Sequence, residues 1–256
     1  MKSSSQKEAK VDYGNWVSKV LIWYPGLLAV MFFELCVVSR YFLIIALFFL
    51  AIAVYFSYAY YRFSPAGGDI QGRIRQFVLD RLEWDGKGTA LDIGCGNGAL
   101  AVRLAKRHPD TTVTGIDFWE GKWDYSQARC ERNAAIEGVA DRVSFQKASA
   151  ASLPFEDGTF DAAISNFVFH EVKDAKNKRD VVKEALRTVK KGGHFAFQDL
   201  FPVKSLYGDV DGLLEEIKSW GIDDVRYVNT SNADFIPRPL KVPFMVGSIG
   251  IIYGKK

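Results

Sequence analysis

A short, mostly apolar run, Thr89 to Ile93, leads straight into Gly94-Cys95-Gly96-Asn97-Gly98, and this junction constrains the fold more than any other stretch. An apolar run of that length bounded by glycines reads as a buried strand, and Asn97 to Lys106 reads as the helix that follows it. The alternation continues downstream. Thr112 to Ile116 predicts a strand and Tyr125 to Glu137 a helix; Val143 to Gln146, Phe160 to Ser165 and His194 to Gln198 predict three more strands. Asp180 to Val189 predicts a helix stopped by Lys190-Lys191-Gly192-Gly193, and Asp211 to Trp220 another. Val225 to Asn229 and Val246 to Tyr253 read as closing strands joined by a proline-containing loop. Ile70, Ile74, Phe77, Val78 and Leu82 recur at helical spacing and predict an opening helix. Strands alternating with helices give an α/β fold, a mostly parallel sheet with helices on both faces. Ligands of such sheets bind beyond the carboxyl ends of the strands. The loops at 94–98, 117–119, 149–153, 166–172 and 199–201 are therefore the functional candidates.

The first quarter of the chain is different in kind. Val20 to Val38 and Tyr41 to Tyr61 are almost wholly apolar, each about the length that a helix needs to cross a bilayer. No cleavage site follows that would make them a signal peptide. A hairpin buried in a soluble protein would need an apolar partner later in the chain, and none is evident. A transmembrane helical hairpin over residues 1–63 is expected, followed by a linker at 64–69 and a domain at 70–256. The first run carries Pro25, Gly26 and Glu34, so one span preceded by a re-entrant or interfacial helix stays open beside two spans. Lys2, Lys7, Lys10 and Lys19 before the hairpin and Arg62, Arg73 and Arg75 after it place both ends, and the domain, in the cytoplasm; Arg40 at the turn opposes this.

Composition narrows the partners. The 256 residues carry a formal net charge of +3 and no basic run, which disfavours nucleic acid. Three scattered cysteines, Cys36, Cys95 and Cys130, show no metal-ligand spacing, so no metal is expected.

Asp117 closes the second predicted strand about 20 residues beyond the glycines, where a carboxylate reaches ribose hydroxyls. The pattern is D-x-G-x-G-x-G from Asp92, which suits a cofactor without pyrophosphate better than a dinucleotide. Ala90–Gly98, Thr114-Gly115-Ile116-Asp117, Leu153-Pro154-Phe155 with Asp157-Gly158-Thr159-Phe160-Asp161, and Leu186-Arg187 before Lys191-Gly192-Gly193 resemble, in order and spacing, the class I S-adenosylmethionine-dependent methyltransferases. They look most like the small-molecule, quinone and lipid branch. The resemblance covers roughly 70–256. It implies a Rossmann-like seven-stranded sheet whose last strand is inserted antiparallel. It also implies Asp92, Gly94, Cys95, Gly96, Asn97 and Gly98 at the methionine end of S-adenosylmethionine, Asp117 at its ribose, and Phe118 on its adenine. Two departures stand out. Ser149 occupies a position that is often acidic, so backbone at Ala150 is a second candidate for the adenine. The aromatic segment 118–125 is about four residues longer than usual.

Methyl transfer needs alignment and exclusion of water, and a general base only for a neutral hydroxyl, amine or thiol. Asn166, His170, Glu171 and Asp199 are the candidates for base or acceptor-orienting groups, with Asn166 also a candidate cofactor contact. Asn166-Phe167-Val168-Phe169 stands where amino-directed DNA methyltransferases carry Asn-Pro-Pro-Tyr, which argues against nucleobases. The expected partners are the bilayer and a lipid-soluble or small hydrophobic acceptor. Small thiols, and a non-catalytic cofactor-binding scaffold, are the alternatives.

Overall fold

A computed structural model describes residues 10–120 and 125–256. Lys2 and Lys7 lie outside the described residues, as does the centre of the aromatic 118–125 segment. The chain divides into two compact units, one of Asn15–Ile74 and one in which the residues up to Gly14 join Arg75–Lys256.

The first unit is an antiparallel helical hairpin of α1 (Val20–Glu34) and α2 (Phe42–Phe63), with a 3₁₀ turn at Leu35–Val37 extending α1. Phe32 near the end of α1 stacks on Phe42 and Phe49 at the start of α2, with centroids 6.0 and 5.7 Å apart. At the other end, Asn15 Nδ2 donates to the Tyr60 carbonyl at 3.0 Å. Apart from Pro25 and, at the end of α2, Phe63, the buried positions of the two helices are alanines: Ala29, Ala46, Ala53 and Ala59. Small residues let two backbones approach, as is usual for helix pairs in lipid. The large side chains point outward instead, with Trp23 74%, Phe33 62%, Ile44 69% and Phe48 61% exposed. The two apolar stretches, Val20–Val37 and Phe42–Phe63, are long and apolar enough to cross a membrane, and only 11% and 17% of their apolar windows are buried. A 3₁₀ turn at Pro65–Gly67 precedes α3 (Ile70–Arg81).

The second unit is a seven-stranded sheet in the order β3-β2-β1-β4-β5-β7-β6. Its strands are β1 (Gly88–Ile93), β2 (Thr111–Asp117), β3 (Val143–Lys147), β4 (Phe160–Asn166), β5 (Val189–Asp199), β6 (Asp224–Asn229) and β7 (Gly250–Lys255). β7 alone is antiparallel, to both β5 and β6. One face is covered by α4 (Ala99–Arg107) and α5 (Gln127–Ile136), whose residues share an apolar cluster with Ala90, Val113 and Ile251. The other is covered by α6 (Lys178–Arg187), a short α7 (Lys204–Tyr207) and α8 (Val210–Ser219), around Leu91, Phe195, Phe197 and Ile252.

Several boundaries move for local reasons. α4 begins at Ala99 rather than Asn97, because Gly98 is left-handed at its N-cap. The last strand starts at Gly250, not Val246; Val246 and Gly247 instead donate to the carbonyls of Leu240 and Val242, closing a loop. The Lys190–Gly193 stretch is not a helix stop. It is the first part of β5, irregularly paired with β4 between Phe160 and Ala162. The predicted helices over 125–137, 180–189 and 211–220 begin instead behind Ser126, Asn177 and Asp209, whose side chains accept from the next turn's amides.

Arg187 accounts for the Leu-Pro-Phe and Asp-Gly-Thr-Phe-Asp motifs. Its guanidinium donates to the carbonyls of Leu153 and Phe155 at 3.2 and 2.8 Å and to Asp157 at 2.7 Å. Glu184 accepts from Arg187 and from the Leu153 amide. Together they pin the loop after β3 to α6.

Candidate cofactor and acceptor site

Four strand ends converge. Ile93 of β1 is level with Ile116 of β2 and Ser165 of β4, and Asn166 with Gln198 of β5. Gly94, Gly96 and Gly98 all have left-handed φ, of 72°, 58° and 78°. A Cβ on Gly94 would also collide with the Val168 side chain, so the loop beyond β4 closes on that glycine. The amides of Gly94 and Cys95 donate to the Ile116 carbonyl, tying the loop to β2. Only Gly94 and Gly96 of the five loop residues are partly exposed. The Cys95 side chain is in the core beside Cys130, and burial pushes its thiol up. Cys95, Asn97 and Gly98 thus shape the loop from below.

Asp117 accepts from the Gly96 amide at 2.8 Å with one oxygen and from the Trp119 amide at 2.9 Å with the other. Trp119 Nε1–H in turn donates to the Gly96 carbonyl at 2.8 Å. Each carboxylate oxygen retains a further lone pair, so two ribose hydroxyls have acceptors here. Asp92 is 1% exposed and accepts from the Ala101 amide at 2.9 Å. Burial pushes its carboxyl up to about 7; the Ala101 bond opposes this, Asp117 adds to it, and Arg75 opposes it. A cationic ammonium brought near would favour the carboxylate.

Beside Asp117, Phe118 is half exposed, with Lys147 Nζ 5.1 Å from its ring centroid. Ser149 Oγ pairs with the Asp174 carboxylate at 3.2 Å and accepts the Ala151 amide. An acid is therefore beside Ser149 after all, supplied from a different loop. Ala150 is buried.

At the ends of β4 and β5, Asp199 is completely buried and bonds His170 Nδ1 at 2.6 Å. It also accepts the Leu200 amide at 2.6 Å. Since an ionised carboxylate only accepts, Nδ1 carries the proton and Nε2 presents the lone pair. Burial pulls the His170 imidazolium pKa down, but the Asp199 hydrogen bond and charge, with Glu171, outweigh it and leave the pKa above the usual value. Glu171 is exposed, 3.8 Å from Nε2. The Tyr207 ring is buried against Phe201, and its phenol is pushed well up by burial and by Asp199. Asn166 accepts from Gln198 Nε2 at 2.6 Å, and Thr230 donates to Gln198 Oε1 at 3.0 Å, so a chain from the turn after β6 through β5 to β4 orients the Asn166 amide. Phe167 just beyond is left-handed at φ 62°, a strained position of the kind that clusters at functional sites.

Asn133 and Asp174 join the predicted residues only here, through bonds to Asn97 and Ser149 that span 36 and 25 positions, beyond any local signal.

Residues 91–197 match the family model described as a methyltransferase domain. The chain is 36% identical over 118 residues to the 27-O-demethylrifamycin SV methyltransferase of Amycolatopsis mediterranei, covering 46% of this chain and 40% of that protein. It is 29% identical over 130 residues to the ubiquinone/menaquinone biosynthesis C-methyltransferase UbiE of Desulfotalea psychrophila, covering 51% and 48%. The chain spans about half or less of the curated relatives it matches. Among solved structures, geranyl diphosphate C-methyltransferase from Streptomyces coelicolor A3(2), in complex with S-adenosyl-L-homocysteine, superposes with a TM-score of 0.57 at 16% identity over 75% of this chain and 78% of that one, a likeness of fold. The strand order, the left-handed glycine loop and Asp117 with its spare lone pairs all suit the cofactor of that family. Residues 91–197 therefore resemble a methyltransferase domain in sequence, and the seven-stranded sheet shares the fold of the methyltransferase structures.

Proposed function

We propose that this chain is a membrane-anchored methyltransferase acting on a lipid-soluble or small hydrophobic acceptor. The observation that carries the reading is the hairpin: two apolar helices whose large side chains face outward, in the same chain as a methyltransferase-like domain. A helix that is apolar all round and unburied by its own protein calls for lipid. Lys19 and Arg62 flank the same end of the hairpin, which favours a cytoplasmic domain. Anchorage raises the local concentration of a membrane-resident acceptor at the site.

S-adenosylmethionine supplies a methyl group already activated on a sulfonium. Gly94, Gly96 and Asp92 would hold its amino-acid end, Asp117 its ribose, and Phe118 with Ser149 and Ala150 its base. On the acceptor side Asn166 orients the incoming group, and His170 Nε2 takes its proton as the methyl bond forms. Asp199 fixes the imidazole tautomer and stabilises the charge that results, and Glu171 lends further negative potential. The remainder of the catalysis is alignment and exclusion of water.

The test uses full-length protein in nanodiscs, methyl-labelled S-adenosylmethionine and a total lipid extract of the host. Label entering the organic phase, and absent with Asp117→Ala, is the expected result. Label appearing only in a water-soluble thiol fraction overturns the lipid acceptor. Binding of S-adenosylmethionine without transfer to any fraction favours a scaffold.

A further inference from the structure

Asn133 is a completely buried polar side chain on α5 that no step above uses. Its Oδ1 accepts the Asp12 amide at 2.9 Å, and its Nδ2 donates to the Asp12 carbonyl at 2.9 Å and to the Asn97 carbonyl at 3.0 Å. One side chain thus pairs both backbone groups of a residue near the start of the chain, as a strand neighbour would. The same amide grips the carbonyl that follows Gly96. The pairing reads backbone, so it depends on the path of residues 12–14 rather than on their side chains.

That path lies over the glycine loop. The Tyr13 ring packs on the cluster that includes Cys95, Cys130 and Ala134. Gly14 is left-handed at φ 70°, and a Cβ there would lie 3.6 Å from the Tyr125 ring and 3.8 Å from Asn97 Nδ2. A Cβ on Gly96 would lie 3.5 Å from that same ring. The Tyr125 ring therefore lies on the side-chain-less face of both Gly14 and Gly96, with room at each for no more than a methyl group. Asp12 adds an exposed ion pair to Arg129 at 3.5 Å, which contributes little.

We infer that residues 12–14 are a strap over the cofactor loop and that Asn133 is the positioning residue that couples the two. This rests on S-adenosylmethionine as cofactor and is independent of the acceptor. With the strap docked, Asn97 and Gly96 are held from one side by Asn133 and from the other by Tyr125. Cofactor exchange then requires the strap to lift.

The experiment measures S-adenosylhomocysteine affinity and dissociation rate on the full-length chain in nanodiscs, for wild type, Asn133→Ala and Asp12→Pro. Proline at 12 removes the N–H that Asn133 accepts and leaves the core untouched. Asn133→Ala should raise Kd about tenfold, the loss of roughly one or two net hydrogen bonds. Asp12→Pro should raise the dissociation rate several-fold at unchanged Tm. Deuterium exchange at the Asp12 amide of wild type should slow when S-adenosylhomocysteine binds. A folded Asp12→Pro chain with a dissociation rate within about twofold of wild type overturns the strap, even if Asn133→Ala merely unfolds. So does an Asp12 amide indifferent to ligand. Failure of wild type to bind S-adenosylhomocysteine at all overturns the cofactor assignment itself.

Discussion

Asp92→Asn should make the ligand-free protein more stable and a poorer cofactor binder. The Asp92 carboxyl is wholly buried and is pushed up to about 7 from its ordinary 3.8, chiefly by desolvation. A folded-state pKa above the unfolded one means that the folded chain holds the proton more tightly. The stability this gives is complete below pH 3.8 and is lost as pH rises through about 7. Asparagine keeps an oxygen for the Ala101 amide and never ionises, so the variant escapes that loss. At about 1.36 kcal/mol per unit, the advantage of the variant is about 1.5 kcal/mol at pH 5 and about 4 kcal/mol at pH 8. For a domain of this size the latter is roughly 8–16 °C in Tm. Thermal unfolding of full-length protein in detergent, followed by tryptophan fluorescence between pH 5 and 8.5, reads it directly. Calorimetry with S-adenosylmethionine should show weaker binding, because the carboxylate that would face the ammonium is gone. A Tm difference that does not grow with pH refutes the argument that burial governs this group, and a variant less stable at pH 8 reverses it.

His170→Gln should lower kcat by roughly 10²–10⁴-fold with cofactor affinity unchanged, since a positioned base contributes about that much. The wild-type rate should rise with pH through the elevated His170 pKa, and Asp199→Asn, which removes the partner that raises it, should move that inflection to lower pH; an unmoved inflection assigns the titration elsewhere. Gly94→Ala places a side chain against Val168 at a left-handed φ, so cofactor binding should fall and stability drop by about 1–3 kcal/mol, visible in chemical denaturation. Leu50→Arg, near the centre of α2, should cost about 2.5–3.5 kcal/mol of insertion and shift protein from carbonate-resistant membranes to the soluble fraction; unchanged partition would mean that α2 does not span.

The alternation of strand and helix was legible because it rests on local spacing. A strand buried on both faces must be apolar throughout, and a helix covering one face must be apolar on one side. Both periods survive in Thr89–Ile93 and in Ile70, Ile74 and Val78 without reference to anything distant. Asp117 was legible for a similar reason, since the length of one helix and two turns sets its distance from the glycines. The start of β7 was not. Val246 carries the same apolar character as Ile251, and only the closure of the 240–247 loop by long-range backbone bonds keeps it out of the sheet. The Lys-Lys-Gly-Gly segment misled because its residue types favour a helix end, while pairing to β4 draws it into β5.

At the site the division is sharper. Sequence by itself determined the glycine loop, Asp117 at the end of β2 and the residue types at the ends of β4 and β5, because those positions are tied to the strands that carry them. It could nominate His170 and Asp199 separately but could not show them as a pair. Only the parallel register of β4 and β5 brings residues 29 positions apart to 2.6 Å, and only the hydrogen bond and charge of Asp199, outweighing burial, set the direction of the His170 shift. Asp174 beside Ser149, Trp119 on Gly96, and Asn133 reading the backbone of Asp12 across 121 positions belong wholly to tertiary structure. Hydrogen bonds and desolvation depend on where chains meet in space, and a one-dimensional pattern records only the distances along it.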